Sequence, residues 1–130
     1  EMPHGIWTKR MLQELINLKV YKNVVPVLAH FDRYGFITKN NKEIFDYYIS
    51  NGGLVQVNTS ALYKFFERKK FFSLLYKNKV HFLGTDAHNT NNRKPDFDIA
   101  LNFLKKNYQK TISIIQNNEN FIAFNNGGII

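Results

Sequence analysis

Asp86 and His88, which follow the apolar run Val80-His81-Phe82-Leu83-Gly84-Thr85, carry the clearest ligand chemistry in this chain. A carboxylate offers a hard oxygen able to bridge two cations, and an imidazole nitrogen suits the same divalent ions. In an extended segment residues two apart point the same way, so both side chains are expected to reach one cavity. The pattern recurs upstream. Val24-Val25-Pro26-Val27-Leu28-Ala29 ends in His30, Leu54-Val55-Gln56-Val57 ends in Asn58 and Ser60, and Glu1 opens the chain ahead of Met2-Pro3. Arg33 follows His30, and Arg93 follows His88. Guanidinium groups beside cations suit a phosphate ester, whose oxygens their fork of donors can grip in pairs. The reaction within reach of such a set is hydrolysis by metal-activated water.

Other routes to phosphate chemistry are missing. There is no Gly-rich phosphate loop, no Cys-x5-Arg nucleophile and no G-x-S-x-G elbow. With no cysteine at all, a thiol phosphatase, a disulfide and a thiolate metal site are excluded. His81 lies inside its run and is expected to be a packed, hydrogen-bonded residue. Asn58 is assigned a structural hydrogen bond, and His4 beside Gly5 is given no role.

The elements that must position these groups alternate strand and helix. Helical spacing predicts helices over 7–20, 42–50, 61–77, from Asp96 onward, and over 111–116. Met11, Leu12, Leu15, Ile16 and Leu18 would face inward on the first, and Ile44, Phe45, Tyr48 and Ile49 on the second. Asn51-Gly52-Gly53 should stop the second helix, and Ser60 should cap the third. That third helix would bury Leu62, Phe65, Phe66, Phe72, Leu75 and Tyr76, and the fourth Ile99, Ala100, Phe103 and Leu104. The strands are expected over 24–29, 54–57 and 80–85, after one ending at Glu1. The run 24–29 is apolar enough to be covered on both faces. The tail 117–130 is Asn- and Gly-rich and expected to fray. Ligand-type residues at strand ends about thirty residues apart are the layout of an α/β barrel with its site at the carboxyl ends of the strands.

Taken together, Glu1-Met2-Pro3, Val25-Pro26-Val27-Leu28-Ala29-His30 with Arg33-Tyr34, Gln56-Val57-Asn58-Thr59-Ser60, and Val80 to His88 with Arg93 and Pro95 resemble the PHP (polymerase and histidinol phosphatase) superfamily. Within it they are most similar to the bacterial tyrosine-protein phosphatases of capsular and exopolysaccharide synthesis. The resemblance implies a distorted (βα)7 TIM-like barrel with a multinuclear Mn2+ or similar divalent cluster. Glu1, His30, Asp86 and His88 would be metal ligands, and Arg33 and Arg93 would grip the phosphate and steady the leaving phenolate. The implied substrate is the phosphotyrosine tail of a bacterial tyrosine kinase. The family's amino-terminal ligands, a His-x-His and a further His, have no counterpart here. The chain is therefore expected to be one partial domain, 1–130: the C-terminal half of the barrel, with about four parallel strands and flanking helices, inactive or weakly metal-binding alone.

Two alternatives share these residues. One keeps the fold and hydrolyses a small phosphoester such as histidinol phosphate. The other is a non-catalytic, basic nucleic-acid-binding or assembly module. Lys and Arg number 18 against 10 Asp and Glu, a formal charge of +8. Arg68-Lys69-Lys70, Lys77 and Lys79 are the densest patch, read as a solvated helix face, so no nucleic-acid partner is expected. An oligomer is allowed. No run approaches the length needed to cross a bilayer, and no signal-peptide pattern opens the chain, so cytoplasmic residence is expected.

Overall fold

Three short apolar runs pair side by side, all parallel, in the order β1–β2–β3. They are β1 (Val27–Leu28), β2 (Leu54–Asn58) and β3 (Phe82–Gly84). The computed structural model describes residues 2, 7–34, 42–91, 94–107, 112–113 and 115. Val27 and Leu28 lie opposite Leu54 and Val55, and Gln56, Val57 and Asn58 lie opposite Phe82, Leu83 and Gly84. This register brings the carboxyl ends of the strands to one edge. The expected strand ending at Glu1 and most of the helix over 111–116 lie outside the described residues, as does the tail 117–130. The described sheet is three-stranded and open.

The α-helices with described bounds are α1 (Lys9–Lys22), α2 (Lys42–Ser50), α3 (Phe65–Leu75) and α4 (Phe97–Asn107). Thr8 starts α1, its hydroxyl accepting the Met11 N–H at 3.2 Å, and Asn23 ends it in the left-handed region at φ 55°. The span of α2 is the expected one. Gly52, at φ +79°, closes it, its N–H reaching the Ile49 carbonyl while the Gly53 N–H reaches that of Tyr48. Gly53 also makes room: a Cβ there would lie 2.2 Å from the Tyr48 ring. That ring is fully buried, and its hydroxyl lies 2.8 and 3.0 Å from the carbonyls of Pro26 and Leu54, in the β1–β2 junction.

The core joins Leu12 and Ile16 of α1, Phe45 and Tyr48 of α2, Val55 and Val57 of β2, Phe71, Phe72 and Leu75 of α3, and Ala100 and Leu104 of α4. Each large apolar side chain sealed there is worth about 1.5–3 kcal/mol. Trp7, Phe31 and Tyr34 form an aromatic group, with Phe31 stacked on Phe45 at 4.7 Å. The group anchors a 3-10 turn, Phe31–Tyr34, directly after β1.

Several expectations need correction. β1 is two residues long, and Val24, Val25 and Val27 are exposed rather than covered on both faces. Only β2 pairs with β1 among the described residues. The long third helix is broken. Thr59–Leu62 is a 3-10 turn, the chain bends at Tyr63–Lys64, and α3 starts at Phe65 with no side-chain cap. That break shifts the helical phase, so Phe71 joins Phe72 and Leu75 inside while Phe65, Phe66 and Tyr76 are exposed. Leu18 and Ile99 are also exposed.

The exposed aromatics of α3 adjoin basic groups. Lys69 sits 4.4 Å over the Phe65 ring, and Arg68 lies between Phe65 and Phe103. Lys79 pairs with Asp46. None of the described helices is long and apolar enough to cross a membrane.

Candidate metal and phosphate site

His30 follows β1, Asn58 is the last residue of β2, and Asp86 follows β3. Parallel pairing therefore delivers three polar side chains to one edge, although more than twenty residues separate each from the next. His30 Nε2 lies 3.7 Å from Asp86 Oδ1, and His88 Nε2 lies 3.1 Å from that same oxygen. Arg33, on the 3-10 turn after β1, pairs with the other carboxylate oxygen, Asp86 Oδ2. The Asp86 side chain is 13% exposed, whereas that of His88 is 56% exposed. His30, Arg33, Asp86 and His88 thus meet at one carboxylate. Glu1, Arg93 and His4 lie outside the described residues.

The backbone reaches this arrangement by an unexpected route. His30 and Asp86 both adopt left-handed conformations, at φ 53° and 54°. His and Asp are among the residues that enter this region most readily, and sites often hold such conformations. Asp86 is therefore not extended, and the same-side argument from strand alternation does not apply to the Asp86/His88 pair. They meet because the chain turns there.

Behind His30 stands a network that motif reading placed only in part. The His30 N–H donates to Gln56 Oε1 at 2.8 Å, and Gln56 Nε2 donates to Asn58 Oδ1 at 3.1 Å. His30 Nδ1 lies 2.9 Å from the same Asn58 oxygen. Asp32 accepts from the Asn58 N–H at 2.8 Å and from Asn58 Nδ2 at 3.3 Å. Gly84 leaves the space Gln56 fills, since a Cβ there would lie 2.5 Å from Gln56 Nε2. Asn58 makes a structural hydrogen bond, and its partner is a candidate ligand. Asp32 has little in the sequence to mark it. Its only signal was its position two residues beyond His30 in a turn beside β2.

His81 serves structure. Its Nδ1 accepts the Val55 N–H at 3.1 Å and its own N–H reaches the Val55 carbonyl, while burial holds the imidazole below its ordinary pKa. Thr59 donates to Asp96 at 2.6 Å, tying the 3-10 turn after β2 to the start of α4.

An imidazole nitrogen facing a carboxylate oxygen is a donor pair that fits a hard or borderline divalent ion. Two ligands of one such ion, each about 2.1 Å from it, stand roughly 3–3.5 Å apart, close to the His30–Asp86 separation. Among the described residues no group of three or more His, Cys, Asp and Glu could hold a metal ion. The pair alone is short of a metal site.

The chain is similar to known proteins. The family model described as capsular polysaccharide synthesis, CpsB/CapC, matches residues 5–123. The tyrosine-protein phosphatase CpsB of Streptococcus agalactiae is 31% identical over 97 residues, covering 67% of this chain and 39% of that protein. The tyrosine-protein phosphatase YwqE of Bacillus subtilis is 31% identical over 90 residues, covering 67% of this chain and 35% of that one. The chain thus spans little more than a third of the length of these relatives. Crystal structures of YwqE from B. subtilis and CpsB from Streptococcus pneumoniae are described as those of metal-dependent tyrosine phosphatases. The matching chain superposes with a TM-score of 0.72 at 23% identity, over 90% of this chain and 49% of that one.

Proposed function

Because the chain belongs to the CpsB/CapC family of capsular polysaccharide synthesis, we propose that it forms part of a metal-dependent protein-tyrosine phosphatase. The observation that carries this reading is the meeting of His30, Arg33 and His88 on Asp86 at the carboxyl edge of a parallel sheet. We further read residues 1–130 as one partial domain, the C-terminal half of a PHP barrel. Its support is the share of the relatives' length that the chain covers.

In this reading His30, Asp86 and His88, with Glu1, hold divalent cations, Mn2+ being our choice. Such ions, when bound, supply activation of water and neutralisation of phosphoryl charge. Arg33 is already oriented on Asp86, so its remaining guanidinium N–H groups can engage phosphate oxygens. Arg93 would add a second fork and steady the departing phenolate. The Asp86 carboxylate then has two tasks, binding a cation and aiming Arg33. The proposed substrate is a phosphotyrosine segment of a partner kinase in the cytoplasm.

The test is Mn2+-dependent phosphate release by the protein translated with its upstream reading frame, from a phosphotyrosine peptide and from histidinol phosphate. The peptide should be preferred. Arg33→Ala should lower kcat/KM on the order of 10²-fold, the scale of losing one donor to transition-state charge, and Asp86→Ala should cost more. Preference for histidinol phosphate would overturn the substrate, and metal-independent turnover would overturn the mechanism.

A further inference from the structure

We propose that Asn58, locked from both sides by Asp32 and Gln56, is a positioning residue that selects the His30 tautomer and so keeps Nε2 as the cation-facing nitrogen. The inference rests on the reading of His30 as a metal ligand.

Two groups around Asn58 have a fixed hydrogen-bonding role. A carboxylate only accepts, so the Asn58 amide atom facing Asp32 Oδ2 is the NH2, and the atom on its other side is the carbonyl oxygen. A second line reaches the same assignment. The backbone N–H of His30 only donates, so the Gln56 atom facing it is Oε1, and Gln56 Nε2 then points its hydrogens at Asn58. Both lines make the Asn58 atom near His30 an acceptor.

His30 Nδ1, 2.9 Å from that acceptor, must therefore carry the proton. In the neutral ring Nε2 is then the acceptor nitrogen, and it is the one 3.7 Å from Asp86 Oδ1. Each of these atoms then has a lone pair that a divalent ion would take. The Asn58 side needs a fixed residue, and it has one: the side chain is 4% exposed, in a strand position whose N–H is itself bonded to Asp32. Ligand imidazoles oriented through their second nitrogen commonly lose about 10–100-fold in metal affinity when that partner is removed.

The experiment reads the tautomer in the metal-free protein by long-range 1H–15N correlation of the imidazoles, then the Mn2+ dissociation constant by calorimetry. Wild type should show His30 protonated on Nδ1. Asn58→Leu should shift the ring toward the Nε2–H form and weaken Mn2+ by about 10–100-fold.

A paired exchange guards against a variant that merely unfolds. Asn58→Asp alone sets two carboxylates against each other. Combined with Asp32→Asn it rebuilds the lock, since the amide at position 32 can accept from the strand N–H and donate to the carboxylate at position 58. The double variant should recover both the Nδ1–H signature and the affinity. A wild-type His30 protonated on Nε2, or a folded Asn58→Leu with unchanged tautomer and affinity, overturns the proposal. Neither readout uses substrate, so absence of phosphotyrosine hydrolysis would sink the functional reading while leaving this one to its own result.

Discussion

At the scale of single residues, this protein divides its three described histidines, which look alike in the sequence, between two settings. His30 and His88 gather at Asp86, whereas His81 is tied to Val55 across the sheet; His4 lies outside the described residues. The His81 environment makes a prediction about acid stability. Its folded-state pKa is depressed by burial, below the ordinary value of 6.5. The unfolded chain therefore binds the proton more readily, so this residue's contribution to stability is complete above about pH 6.5 and is lost as pH falls through the folded value. His81→Asn keeps an acceptor for the Val55 N–H and removes the titration. Thermal melts of the variant should show a flatter decline below about pH 6.5 than wild type, and an unchanged slope would assign the acid sensitivity elsewhere. Motif reading found His30, Asp86 and His88 because ligand types at strand ends stand out. It passed over Asp32, because a carboxylate in a short turn resembles any surface acid until its partner Asn58, from another strand, is beside it.

Among the elements, α2 and α3 teach opposite lessons. The span of α2 followed from local rules alone: an apolar face at helical spacing and a glycine able to adopt positive φ at its end. The α3 region obeyed no single period, since a 3-10 turn and a bend at Tyr63–Lys64 reset the phase. The correction has a measurable consequence. Phe71→Ala should cost about 3–5 kcal/mol, as truncation of a sealed aromatic does. Phe66→Ala, at a side chain 76% exposed, should stay within about 0.5 kcal/mol. Urea unfolding of the two variants decides between the phases, because the unbroken helix expected from the sequence would bury Phe66.

For the whole molecule, the net charge is +8, and in the densest basic patch Lys79 pairs with Asp46 while Arg68 and Lys69 lie against Phe65. The exposed Phe65 and Phe66 beside those cations form a surface that helical core spacing had assigned to the interior. Duplex DNA binding, followed by fluorescence anisotropy, should be weak and collapse between about 50 and 200 mM salt, the behaviour of non-specific phosphate contacts. Affinity that withstands the higher salt would revive the nucleic-acid reading. In the proposed reading His30, Asp86 and His88 would supply part of a metal centre, so the 130 residues by themselves should turn over p-nitrophenyl phosphate with Mn2+ far more slowly than the longer YwqE of Bacillus subtilis.

From the sequence alone came the residue types, their place after apolar runs, the strand–helix alternation and the family likeness, all of which are local in the chain. Periodicity and ligand chemistry are legible there because each depends on near neighbours. Tertiary structure decided which side chains share an edge: that Asp32 and Gln56 brace Asn58, that Asn58 faces His30, and that Arg33 reaches Asp86. Those pairings span up to 53 positions and arise from parallel register and from left-handed turns at His30 and Asp86. No spacing rule encodes them, because they exist only once separate strands lie side by side.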